Sequence, residues 1–161
     1  MKVKRTYHLN DEEATQIWAK RLAKGLGAGD VLALSGALGA GKSVLARALM
    51  RALGVQDEAL PSPTYALIQE YQGVTCGGVL CSVAHMDLYR LDDEAEVEML
   101  GIRDFFVSPW ICLIEWAERA GSVLPDTAIQ LELSYVEGKK NERYITLLAC
   151  QSLHDTVAFH D

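Results

Sequence analysis

The 161 residues predict an α/β protein with a mixed, largely parallel central sheet flanked by helices. Three observations predict this. Two short, continuous apolar runs, Val31-Leu-Ala-Leu-Ser35 and Ile111-Cys-Leu-Ile114, fit strands buried on both faces, as in a parallel sheet. Stretches with helical spacing lie between and beside them. Alternating segments joined by glycine-containing turns read as hairpins, which makes the sheet mixed.

The elements follow in chain order. Asn10 sits where a helix cap is expected, with Glu13 three residues on. Ala14, Ile17, Trp18, Arg21, Leu22 and Gly25 then form a stripe at helical spacing, and Gly25, Gly27 and Gly29 end it. The run from Val31 is the first strand. A second helix is expected from Lys42 to Leu53, stopped by Gly54. Past Pro61-Ser-Pro-Thr64, residues Tyr65 to Tyr71 and Val79 to Met86 read as strands, with Gly73 and Gly77-Gly78 between them as an extended hairpin. Asp92 to Leu100 reads as an acidic helix before Gly101. Ile111 to Ile114 is the second buried strand. Ala128 to Ser134 and Arg143 to Ala149 read as two final strands around the polar turn Glu137-Gly-Lys-Lys-Asn141.

Half of the residues are hydrophobic, and a chain this long buries roughly 70% of its unfolded surface, so one domain over residues 1–161 needs no disulfide or metal staple. A net charge of -7 argues against nonspecific gripping of nucleic acid, which needs clustered Lys and Arg. No apolar run reaches about 18 residues, so no membrane span is expected, and the N-terminus lacks the apolar core of a signal peptide. The expected location is cytoplasmic, and free thiols are expected at Cys76, Cys81, Cys112 and Cys150. Cys76, Cys81 and His85 raise a zinc question, but their spacing matches no common zinc pattern.

The strongest motif is Gly36-Ala-Leu-Gly-Ala-Gly-Lys42-Ser43, which fits G-x-x-x-x-G-K-[ST] between a buried strand and a helix. It specifies the α/β class as a P-loop NTPase fold. The glycines let the backbone turn tightly and bring N–H groups against phosphate oxygens, and the helix start aims its positive end at the same point. Lys42 is placed to reach the β- and γ-phosphates, and the Ser43 hydroxyl to ligate Mg²⁺. A glycine-rich turn before a helix is the plain alternative. Asp87 and Glu115 end apolar strands, where a carboxylate sits beside a phosphate loop; each could equally be a solvated strand-end acid. Thr64 is either a γ-phosphate sensor or part of a loop turned by two prolines.

Several motifs occur in a particular order: the glycine loop, Ser62-Pro-Thr-Tyr65, His85-Met-Asp-Leu-Tyr-Arg-Leu91, Gly101-Ile-Arg-Asp104, Leu113-Ile-Glu-Trp116 and Leu124-Pro-Asp126. Over about residues 8 to 135 the chain closely resembles the bacterial TsaE (YjeE) family, the ATPase of tRNA threonylcarbamoyladenosine biosynthesis. The resemblance implies ATP hydrolysis that supports, but does not perform, threonylcarbamoyl transfer to adenosine in tRNA. It implies two partners, a transferase subunit of ASKHA-type fold and its homologous scaffold subunit, with tRNA reached only through them. It implies phosphate binding by Gly39, Ala40, Gly41, Lys42, Ser43 and Val44, and Mg²⁺ binding by Ser43 and Glu115. Asp87 takes the Walker B position, Thr64 a switch-like loop, and Trp116 a place beside the nucleotide; Asn10 to Glu12 is a candidate for adenine contact. Two positions depart from the family pattern: Ala37 replaces the usual Asp, and Ser43 the usual Thr.

Two other readings stay open. The loop also suits a small-metabolite kinase, but the eight arginines are scattered and form no lid cluster. A nucleotide-gated binding module with incidental hydrolysis fits the acidic composition. A GTPase is disfavoured because no N-K-x-D motif occurs.

Overall fold

The structure, a computed structural model, describes residues 1–57, 60 and 67–158. Strand β1 (Lys2–Leu9) is followed by helix α1 (Glu12–Ala23), strand β2 (Val31–Gly36) and helix α2 (Lys42–Ala52). Strands β3 (Ile68–Val74) and β4 (Leu80–Asp87) form a hairpin, and helix α3 (Glu94–Met99) leads to strand β5 (Trp110–Glu115). Strands β6 (Ile129–Val136) and β7 (Lys139–Cys150) and helix α4 (Gln151–Val157) complete the order.

One seven-stranded sheet runs β1-β7-β6-β2-β5-β4-β3. The four central strands β6, β2, β5 and β4 are parallel to one another, and the outer pairings β1–β7, β7–β6 and β4–β3 are antiparallel. The central strands are continuous apolar runs because both faces are covered. Alternation sorts their side chains: Leu32, Leu34, Ile111 and Leu113 face one core, and Val31, Ala33, Cys112 and Ile114 the other. The first core is roofed by α1, α2 and α4. Leu45 and Leu49 of α2 and Leu53 at its C-cap recur every fourth residue and are fully buried, each contributing about 1.5–3 kcal/mol relative to exposure.

Several elements differ from expectation. The cap of α1 is Asp11 rather than Asn10: its backbone is extended (φ -161°) and its Oδ1 accepts the Ala14 N–H at 2.8 Å. The buried face of α1 is Thr15, Trp18, Ala19, Leu22 and Ala23, so the expected stripe is rotated and Ile17 is 41% exposed. Strand β1 was not expected, since Lys2, Lys4, Arg5, Thr6 and His8 give it an exposed, charged edge; it exists because it pairs with β7 along its whole length. Strand β7 starts at Lys139, four residues earlier than Arg143, because the turn closes on Glu137-Gly138 with Gly138 at φ 73°. Helix α4 lies beyond the last expected strand, Arg143 to Ala149. The acidic helix is confined to Glu94–Met99, capped by Asp93, whose Oδ1 accepts the Glu96 N–H at 2.9 Å.

The extended hairpin is present: Gln72 pairs with Ser82, and residues 75–79 make the turn. Its Cys76 is exposed while Cys81 is buried, and His85 is committed to Glu115, so the three do not gather as a zinc site. Among the described residues no helix is long and apolar enough to cross a membrane.

Candidate functional site

The parallel centre of the sheet brings the C-terminal ends of β2, β4 and β5 to one edge, and the glycine loop leaves β2 there. Gly36 has φ 139°, and a Cβ on it would lie 2.4 Å from the Leu133 carbonyl oxygen, so only glycine fits. Gly41, at φ 105°, precedes α2, and no side chain caps that helix. Its first N–H groups are left directed into the loop, which is the arrangement an anion satisfies.

Lys42 is 5% exposed. Its Nζ donates to the carbonyl oxygens of Gly36 (2.6 Å) and Ala37 (2.9 Å) and lies 4.1 Å from the Trp116 ring centroid. Burial pulls its pKa below the ordinary value, against the opposing pull of the Glu118, Glu115 and Asp87 carboxylates. Trp116 reaches this position from a left-handed backbone (φ 57°, ψ 41°), uncommon for an aromatic residue, and its ring packs on Tyr89 at 4.8 Å.

Asp87 and Glu115 are register partners at the ends of adjacent parallel strands, 6% and 2% exposed. Asp87 Oδ1 accepts the Tyr89 N–H at 2.9 Å. Glu115 Oε1 accepts the Ser43 hydroxyl at 2.7 Å, and its Oε2 lies 2.5 Å from His85 Nε2. Burial opposes charge on Glu115, but the His85 and Ser43 hydrogen bonds and the Lys42 ammonium outweigh it and hold the carboxyl below its ordinary pKa.

These groups share one cleft. Gly39, Gly41, Lys42, Ser43, Val44, Asp87, Glu115 and Trp116 all border it, so the sequence motifs converge in space. Ala40 is buried beneath the loop, where its carbonyl accepts from Arg143 Nε at 3.0 Å. Thr64, with the rest of Ser62-Pro-Thr-Tyr65, lies outside the described residues. A second cleft adjoins the loop through Gly41 and Val44. It is bordered by Asp11, Glu12, Glu13 and Thr15 at the start of α1 and by Asn141 and Arg143 of β7; Asn10 does not border it.

Four residues of the site were missed from sequence. From sequence, His85 is a zinc candidate and the first residue of the motif ending at Leu91, with no role at this site. Tyr89 packs on Trp116. Tyr135 and Arg143, cross-strand partners on β6 and β7, brace the loop from outside: the Tyr135 hydroxyl donates to the Leu38 carbonyl at 2.8 Å, and Arg143 lies 4.8 Å from the Tyr135 ring. Alternation in the final hairpin was the one available signal, and it does not say which loop the hairpin meets.

The oxygen donors of Ser43 and Glu115 suit a hard divalent cation such as Mg²⁺, which takes few protein ligands and completes its shell with phosphate and water. The uncapped helix start and the glycine cradle suit a polyphosphate. A buried strand, a glycine loop and an uncapped helix at the centre of a mixed sheet define the class: a P-loop protein.

Comparison with known proteins gives the particular family. The family described as "Threonylcarbamoyl adenosine biosynthesis protein TsaE" matches residues 9–145. The tRNA threonylcarbamoyladenosine biosynthesis protein TsaE of Haemophilus influenzae is 42% identical over 108 residues, which are 67% of this chain and 65% of that protein, just under two thirds of its length. The protein of the same name from Bacillus subtilis is 36% identical over 160 residues, 93% of this chain and 94% of that one. The crystal structure of Bacillus subtilis YdiB matches with a TM-score of 0.74 at 28% identity, covering 98% of this chain and 93% of its own. The chain belongs to the TsaE family, ATPase-type proteins named for tRNA threonylcarbamoyladenosine biosynthesis.

Proposed function

We propose that this protein is a Mg²⁺-dependent ATP hydrolase that works as a single P-loop unit in the cytoplasm and supports threonylcarbamoyl transfer to adenosine in tRNA. The observation that carries the reading is the convergence of Lys42, Ser43, Asp87 and Glu115 on one cleft at the uncapped start of α2.

Each residue then has a task. The N–H groups from Gly39 to Val44 hold the phosphates. Lys42 exchanges the Gly36 and Ala37 carbonyls for β- and γ-phosphate oxygens, gaining charge-assisted hydrogen bonds. Ser43 and Glu115, whose side-chain oxygens already face each other, would together hold Mg²⁺, directly or through water. Asp87 serves in the Walker B position, and Thr64 in a switch-like loop. Trp116 and Tyr89 wall the cleft and exclude water from the lysine. When bound, Mg²⁺ supplies charge that offsets the negative charge on the transferring phosphoryl group.

Hydrolysis is slow alone and fast with the partners, the ASKHA-type transferase subunit and its homologous scaffold subunit. The resemblance supports that assignment, and the family name supports the pathway. The test is ATP turnover with and without the partner pair. Stimulation in the wild type, with a loss on the order of 100-fold or more in Lys42→Ala while the fold survives, is the expected result. Transfer of phosphate to a small metabolite without partners would instead favour a kinase.

A further inference from the structure

We infer that His85 is a positioning residue, whose Nε2–H holds one oxygen of Glu115 so that the other stays aimed at Ser43 and the divalent cation beside it. The inference rests on the proposed role of Glu115 and extends it.

The two oxygens of Glu115 have partners from different elements. Oε1 meets Ser43 at the start of α2, and Oε2 meets His85 two residues before the end of β4. The terminal torsion of a glutamate is broad and roughly two-fold, so packing alone does not fix which oxygen faces the cleft. Two hydrogen bonds at fixed points do. The strand register supplies the geometry: His85 pairs with Leu113, Asp87 pairs with Glu115, and alternation places His85 and Asp87 on the same face of β4. One strand thus sends a carboxylate to the cleft and a donor to the layer beneath it.

Packing alone is a poor account of His85. It is fully buried, and its Nδ1 has no hydrogen-bond partner. A buried, unpaired polar atom is costly, and an aliphatic side chain of similar volume would avoid that cost. A hydrogen bond that orients a cation ligand is a reason to keep the imidazole; outer-layer partners of this kind set metal affinity by about 10- to 100-fold.

The test measures binding rather than turnover. A nonhydrolysable ATP analogue is titrated onto the full chain in EDTA and at increasing Mg²⁺. In His85→Leu, which keeps bulk and removes the donor, the half-saturating Mg²⁺ is expected to rise about tenfold while binding in EDTA is unchanged. In His85→Gln, whose amide nitrogen can take the place of Nε2, it is expected to stay within about threefold of wild type. His85→Asn remains polar but places its amide short of Glu115, so it must behave as Leu does; it carries the test if the Leu variant fails to fold. Wild-type Mg²⁺ dependence in Leu or Asn, or a Gln variant as impaired as they are, would overturn the inference. Glu115→Gln separates the two levels. If it too keeps the wild-type Mg²⁺ dependence, the role of Glu115 fails and that of His85 with it; if it alone is impaired, only the His85 inference fails.

Discussion

Lys42 is held between two carbonyl oxygens of its own loop and the face of Trp116, which satisfy its ammonium. Arriving phosphate therefore replaces partners rather than rescuing a bare charge. Lys42 and Ser43 were legible in the sequence because the motif is contiguous, and Asp87 and Glu115 because each ends an apolar run. His85 and Arg143 were not, because their partners lie 30 and 103 residues away. A titration is expected at Asp30, whose pKa is raised by burial against a hydrogen bond from the Gly27 N–H. The folded state then favours the protonated acid. Wild-type stability falls as pH rises from the unfolded value of about 3.9 through the raised folded value. Asp30→Asn, whose side-chain oxygen can still accept from Gly27, should be more stable than wild type at pH 7 and equal to it near pH 3. Urea unfolding at the two pH values checks this, and an advantage that persists at pH 3 would contradict it.

Among the elements, the final hairpin does more than close the sheet. Strands β6 and β7 deliver Tyr135 and Arg143 to two carbonyls of the glycine loop on either side of Gly39, those of Leu38 and Ala40. Gly39 sits against this brace, since a Cβ there would lie 2.6 Å from the Tyr135 hydroxyl. Removing that hydroxyl with Tyr135→Phe should loosen the loop by about 1 kcal/mol, roughly a fivefold loss of nucleotide affinity, without lowering the melting temperature by more than a few degrees. Calorimetric binding and a thermal melt read both quantities, and unchanged affinity would contradict the bracing role. Buried strands and the helix after the glycine loop were legible because periodicity and burial agree there. Strand β1 and helix α4 were not, since each owes its place to partners distant in sequence: β1 to β7, and α4 to α1 and to β1. His154 of α4 is fully buried, and its Nε2 donates to the Val3 carbonyl at 2.7 Å while its Nδ1 accepts from the Tyr7 hydroxyl at 2.8 Å. No local pattern announces a bond across 151 residues.

For the whole molecule, the net charge of -7 and the nature of the site are compatible. In the proposed function the polyanion to be held is a nucleotide triphosphate, which one lysine, one uncapped helix start and one cation would neutralise locally. Holding tRNA would need a basic surface, a task the proposal leaves to the partners. The sheet order explains why the site could be read at all. Parallel strands β2, β4 and β5 point their C-terminal ends at one edge, so motifs spread from residue 36 to residue 116 meet there. The most direct measurement is threonylcarbamoylation of tRNA in a reconstituted system with the partner pair, comparing no added protein, the wild type and Lys42→Ala. Multiple-turnover modification that requires the wild type and fails with Lys42→Ala is the expected result. Modification that proceeds equally well with Lys42→Ala would contradict the account.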